Sequence, residues 1–182
     1  MSWTKQQTSA LIIIAYTSFL NPFLVSSVNI ALPTIEKTFG MNAVSLSWVI
    51  TAFLLSSAML MLPFGRWADI VGIKKIYRIG VYIFTFTTFL CGMAPNGWFL
   101  IVSRFLQGIG GAMTMCTSSA ILVSLFEPQQ RGRVLGISVA AVYLGLAFGP
   151  FLGGILTEQL SWRYVFFITS FLGLFSSFLV FR

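Results

Sequence analysis

Apolar runs of membrane-crossing length recur from one end of this 182-residue chain to the other. A helix rises about 1.5 Å per residue, so roughly 20 apolar residues cross the hydrocarbon core of a bilayer. Six runs meet that length, at residues 9–33, 46–63, 76–94, 98–125, 134–156 and 164–181. Short polar connections separate them. The first holds Glu36, Lys37, Gly40 and Asn42, the second spans residues 65–75, and the third is the turn Pro95-Asn96-Gly97. Residues 127–133 form the fourth and residues 157–163 the fifth. Charged residues make up only 8% of the chain, against about a quarter in a soluble domain. The pattern predicts an all-α membrane protein, one six-helix transmembrane domain over residues 1–182. The first run has one early cation, Lys5, and no clean small-x-small cleavage site, so it reads as a retained span and not a leader.

The chain carries 11 Lys+Arg against 4 Asp+Glu, a formal charge of +7. Even helix number puts both termini on one side. That side collects Lys5, Arg66, Lys74, Lys75, Arg78, Arg131, Arg133 and Arg182, while the other has Lys37 and Arg163. The asymmetry predicts cytoplasmic termini in a cell membrane. It also explains the charge without nucleic acid. Trp48, Trp98, Trp162 and Tyr164 sit near outer helix ends, as an interfacial aromatic belt does.

Chemistry is narrowly bounded. There is no histidine, and Cys91 and Cys116 lie in apolar runs without metal-ligand spacing. Ser118 and Ser119 have no intramembrane base to activate them. No enzyme and no metal site is expected, and no filter-like segment suggests a channel.

Arg104 lies inside the fourth run, whereas every acidic residue falls in a connection. A charge there costs at least about 2.5 kcal/mol on insertion scales. It either works in the bundle interior beside Gln107, on the same helical face, or snorkels to the headgroups. Gly145, Gly149 and Gly153 recur four apart in the fifth run, with Pro150 and Gly154 among them. Small residues at that spacing allow close helix contact, and Pro150 invites a kink. The stripe serves packing, a gating motion, or both. In the second connection Gly65, Asp69, Gly72 and Lys74 stand at fixed steps, with Asp69 placed to cap a helix or pair with Arg66 or Arg131. Asn29, near Pro33, is expected to be buried and to need a partner.

Together these motifs resemble the N-terminal six-helix half of a major facilitator superfamily transporter, and most of all the 14-helix drug:proton antiporter branch. Gly65, Asp69, Gly72 and Lys74 match its loop motif, from which Trp67, Ile70 and Ile73 depart. Leu100, Arg104, Gln107, Gly108 and Gly110 match its fourth-helix motif. Gly145, Gly149, Pro150, Gly153 and Gly154 match its antiporter motif, and Asn29, Ala31, Leu32 and Pro33 its first-helix motif. The resemblance implies an inverted 3+3 repeat and efflux of small amphipathic compounds by proton antiport with alternating access. It implies no cofactor beyond a proton gradient. It assigns proton coupling or the substrate cavity to Arg104, Gln107 and Asn29, a cytoplasmic gate to the Asp69 loop, and export bias to the Gly149–Pro150 region. Leu24 stands where that branch usually carries an aspartate, which places the proton carrier elsewhere. The implied partners are the lipid bilayer, a small-molecule substrate and a second six-helix half. Since the chain stops after its sixth run, a truncated, split or half-size protein is expected, the last pairing with itself or regulating a full transporter.

Overall fold

The computed structural model describes residues 3–180. It contains six α-helices: α1 (Lys5–Phe39), α2 (Ala43–Val71), α3 (Ile73–Gly92), α4 (Gly97–Leu125), α5 (Pro128–Gln159) and α6 (Trp162–Val180). The expected end of the sixth run at Phe181, and Arg182, lie outside the described residues. By length and composition α1, α2, α4 and α5 are long and apolar enough to cross a membrane. α3 opens on Lys74, Lys75 and Arg78, which dilute its apolar run.

Helices outlast the apolar runs. Pro33 and Pro63, expected to close the first two spans, lie inside α1 and α2. A proline forfeits one N–H bond and bends the axis. In a bilayer the remaining backbone groups still need intrahelical partners, so the helix continues past it. The expected connection over residues 65–75 shrinks to one residue. Gly72, at φ 109°, ends α2 and starts α3, a conformation that a residue with a Cβ rarely adopts. Its N–H donates to Ala68 O at 2.9 Å, and its carbonyl accepts from Lys75 N at 3.1 Å. Asn96, read as a turn residue, is the N-cap of α4, accepting from Phe99 N at 2.8 Å.

Neighbours in sequence are not the main neighbours in space. α1 packs chiefly on α5, α4 lies against both α2 and α3, and α6 rests on α3 and α1. Exchanging α1, α2 and α3 with α4, α5 and α6 in that order turns the α1–α5 pair into α4–α2, and α3–α4 into α6–α1. That exchange is the signature of an inverted 3+3 repeat. One core cluster gathers Leu24, Val28, Ile35, Val49, Phe53, Leu100 and Phe166. A second, toward the opposite end of the bundle, gathers Ile14, Tyr77, Val81, Leu122 and Val134.

Trp162 departs from the expected belt. It is fully buried, edge-on to Phe39 and Phe166, and its Nε1 donates to Thr38 Oγ1 at 3.3 Å. A buried indole is stable once its N–H has a partner. Trp48, Trp98 and Tyr164 are exposed.

Candidate functional site

Arg104 is 0% exposed, which excludes the snorkelling alternative. The fourth-helix spacing puts it one turn before Gln107, and its Nη1 donates to Gln107 Oε1 at 2.5 Å. Its Nε donates to Val49 O on α2 at 3.0 Å. The guanidinium lies over the Phe53 ring, 4.5 Å from the centroid. Gln107 Nε2 donates to Thr88 Oγ1 on α3 at 2.5 Å, and Thr88 Oγ1 donates to Phe84 O at 2.6 Å. One cation thus ties α4 to α2 and α3. All its partners are neutral, and its Nη2 is buried without a hydrogen bond. The four carboxylates, Glu36, Asp69, Glu127 and Glu158, are all exposed. Leu24 is buried in the same cluster as Val49 and Phe53, an apolar residue at the position where the resemblance expects an acid. Sequence reasoning missed Thr88, Val49 and Phe53, because they come from other helices.

The α5 glycines face α1. A Cβ on Gly145 would meet Phe19 O at 2.5 Å, on Gly149 Ser26 Cβ at 2.5 Å, and on Gly153 Ser27 Cβ at 2.7 Å. Gly154 lies off the stripe, its nearest neighbour being Ile30 Cγ2 at 3.9 Å. Pro150 has no N–H for the carbonyl one turn earlier, that of Leu146. Ser26 Oγ supplies the bond from α1, donating to Leu146 O at 3.1 Å, and Ser27 Oγ donates to Gly149 O at 2.9 Å. The pair Ser26-Ser27 in an otherwise apolar stretch is the sequence signal for the α1 side of this contact. Ser26→Ala should cost about 1 kcal/mol, lowering Tm by roughly 2–4 °C in detergent. In a Pro150→Ala background the restored N–H takes over, so the serine change should then cost little. Equal losses in both backgrounds would show that Ser26 does not complete the α5 ladder.

The remaining expected site residues make no hydrogen bond to the Arg104 side chain, whose partners are Val49 and Gln107. Asn29 is exposed, not buried. It points off the packed face of α1, one position beyond Val28, which is fully buried. Asp69 and Lys74 are exposed at the α2–α3 junction. Asp69 does not cap α3, which starts on Gly72 with no side-chain cap. Arg131 bonds Phe126 O at 3.2 Å instead. Gly65 has open space around it. A cleft of about 790 Å³ opens beside the α1–α2 connection and the start of α4, lined among others by Met41, Trp48, Trp98 and Phe105.

This bundle has known counterparts. The model of the Major Facilitator Superfamily matches residues 14–182. The chain belongs to that superfamily. Over 175 residues it is 38% identical to the riboflavin transporter RibZ of Clostridioides difficile (strain 630), covering 96% of this chain and 38% of RibZ. It is 37% identical over 168 residues to the cephamycin export protein CmcT of Amycolatopsis lactamdurans, covering 92% of this chain and 35% of CmcT. The chain therefore spans well under half the length of these relatives. The crystal structure of a bacterial homolog of the human lysosomal transporter Spinster, inward-facing and unoccupied, has the same fold. The superposition covers 99% of this chain and 43% of that one, with a TM-score of 0.80 at 21% identity. A six-helix bundle of this kind is half of the superfamily fold.

Proposed function

We propose that this chain forms one half of a secondary transporter that exports small amphipathic compounds in exchange for protons. The observation that carries the reading is Arg104: a fully buried cation on α4 with no carboxylate beside it. Intramembrane charge is costly and is retained where a transport path uses it. Its similarity to an export protein supports the direction. In this reading Arg104 and Gln107 influence proton coupling without carrying the proton, and the exposed Asn29 faces the substrate path. The aromatic cleft around Trp48 and Trp98 has the size of a small-molecule site. Gly65, Asp69, Gly72 and Lys74 form a cytoplasmic gate. The Gly145, Gly149, Pro150, Gly153 and Gly154 helix biases the cycle toward export. The protein is not an enzyme, and its basic connections hold both termini in the cytoplasm. A second six-helix half, rocking against this one, completes the site.

The test is flux in proteoliposomes carrying a pH gradient, with ethidium as the amphipathic probe. Gradient-dependent ethidium movement, abolished by a protonophore, is expected once a second six-helix half is present. Movement with the chain alone would make it self-pairing. No movement in either preparation would overturn the transport reading.

A further inference from the structure

A cavity of about 10 Å³ lies where α1, α3, α4 and α6 meet, lined among others by Thr17, Asn21, Thr85, Thr114, Gly173 and Ser176. Three of the polar atoms there, Asn21 Oδ1, Thr85 Oγ1 and Ser176 Oγ, are buried without a hydrogen-bond partner. Their residues are 9%, 4% and 1% exposed. Three such atoms around one cavity are not independent accidents, since buried polar groups are nearly always paired. The other polar neighbours are already committed. Asn21 Nδ2 donates to Thr114 Oγ1 at 3.3 Å, and Thr114 Oγ1 bonds Gly111 O at 2.9 Å. Thr17 Oγ1 shares a 2.5 Å bond with Tyr77 Oη. Gly173 leaves room for the Thr85 hydroxyl, because a Cβ there would stand 2.5 Å from Thr85 Oγ1.

We propose that this cavity is the binding site of one internal water molecule that joins α1, α3 and α6. Its size is that of a single water, which needs about 10–15 Å³ and two to four polar partners. Asn21 Oδ1 only accepts, while the two hydroxyls both donate and accept. One water hydrogen goes to Asn21 Oδ1 and the other to one hydroxyl, and the second hydroxyl donates to the water oxygen. All three orphans are then satisfied at once. A metal cation fits the site less well, because every carboxylate of the chain is exposed and the donors here are neutral.

Two measurements on the protein in lipid bilayers test this. Water-edited solid-state NMR should show magnetisation transfer from a slowly exchanging water to the Asn21 side-chain amide. Absence of transfer would overturn the site. Ser176→Val fills the cavity with methyl groups. A wet site predicts a Tm lower by roughly 4 °C or more, because Asn21 Oδ1 and Thr85 Oγ1 lose their partner. A dry site predicts an equal or higher Tm, which would refute the proposal. If that variant does not fold, Ser176→Ala keeps the room, and the Asn21 water signal should persist, weakened. Its persistence unchanged would remove Ser176 from the site, and its absence would overturn the proposal. Tm should be equal in sodium chloride and choline chloride. A rise specific to sodium would assign the site to a cation instead.

Discussion

Gly149→Leu is expected to force α1 and α5 apart and, under the proposed function, to abolish export. A Cβ at that position already stands 2.5 Å from Ser26 Cβ and 2.9 Å from Phe23 O. Part of that obstacle is backbone, which cannot rotate away. Overpacking costs about 1–3 kcal/mol in a core that can adjust, and this contact is at the upper end. Tm should fall by roughly 10 °C, and the bonds from Ser26 and Ser27 to α5 should be lost with the contact. Gly154→Ala is the control. Its nearest neighbour is 3.9 Å away, so relief of glycine's entropy cost in a helix should hold or raise Tm. Thermal melting and vesicle flux check both. If Gly149→Leu kept its Tm and its activity, the close α1–α5 contact would be dispensable.

Arg104→Met should separate stability from activity. An apolar residue of similar length is relieved of burying a cation without a carboxylate, and such replacements are often neutral or stabilising. Against this, Gln107 Oε1 loses its donor, at a cost of about 1–3 kcal/mol. The two terms offset, so Tm should stay within roughly 4 °C of the parent. The proton-coupled flux of the proposed function should fall by tenfold or more, equivalent to about 1.4 kcal/mol. Unchanged flux would make Arg104 a structural tie between helices. A collapse of Tm would show that its bonds to Val49 and Gln107 outweigh the desolvation of the cation.

The two sites differ in how legible they were. Arg104 and Gln107 are three apart on one helix, so their contact follows from helical geometry alone. The glycine stripe also follows, since a spacing of four places Gly145, Gly149 and Gly153 on one face. The helix it would face did not follow. Pro150 announced an orphaned carbonyl, but Ser26, its donor, is 120 positions away from Leu146 along the chain. The apolar run around Asn29 suggests burial, yet hydropathy carries no information on which face of α1 it occupies, and Asn29 is exposed. The place of Trp162 near a helix end suggests the headgroup belt. Docking of that end beneath Phe39 and Phe166 buries it instead.

The amino-acid pattern alone determined six helices, four of them long and apolar enough to cross a membrane, because apolar length is a local property and a bilayer leaves the backbone few other ways to satisfy its hydrogen bonds. Helix ends were less legible, since the backbone's need for intrahelical partners carries α1 and α2 past Pro33 and Pro63. The pairing of α1 with α5 and of α4 with α2 and α3 belongs to the tertiary structure. So do the neutral surroundings of Arg104 and the donor from Ser26 to α5. These depend on contacts between residues far apart in the chain, which no spacing within one helix encodes.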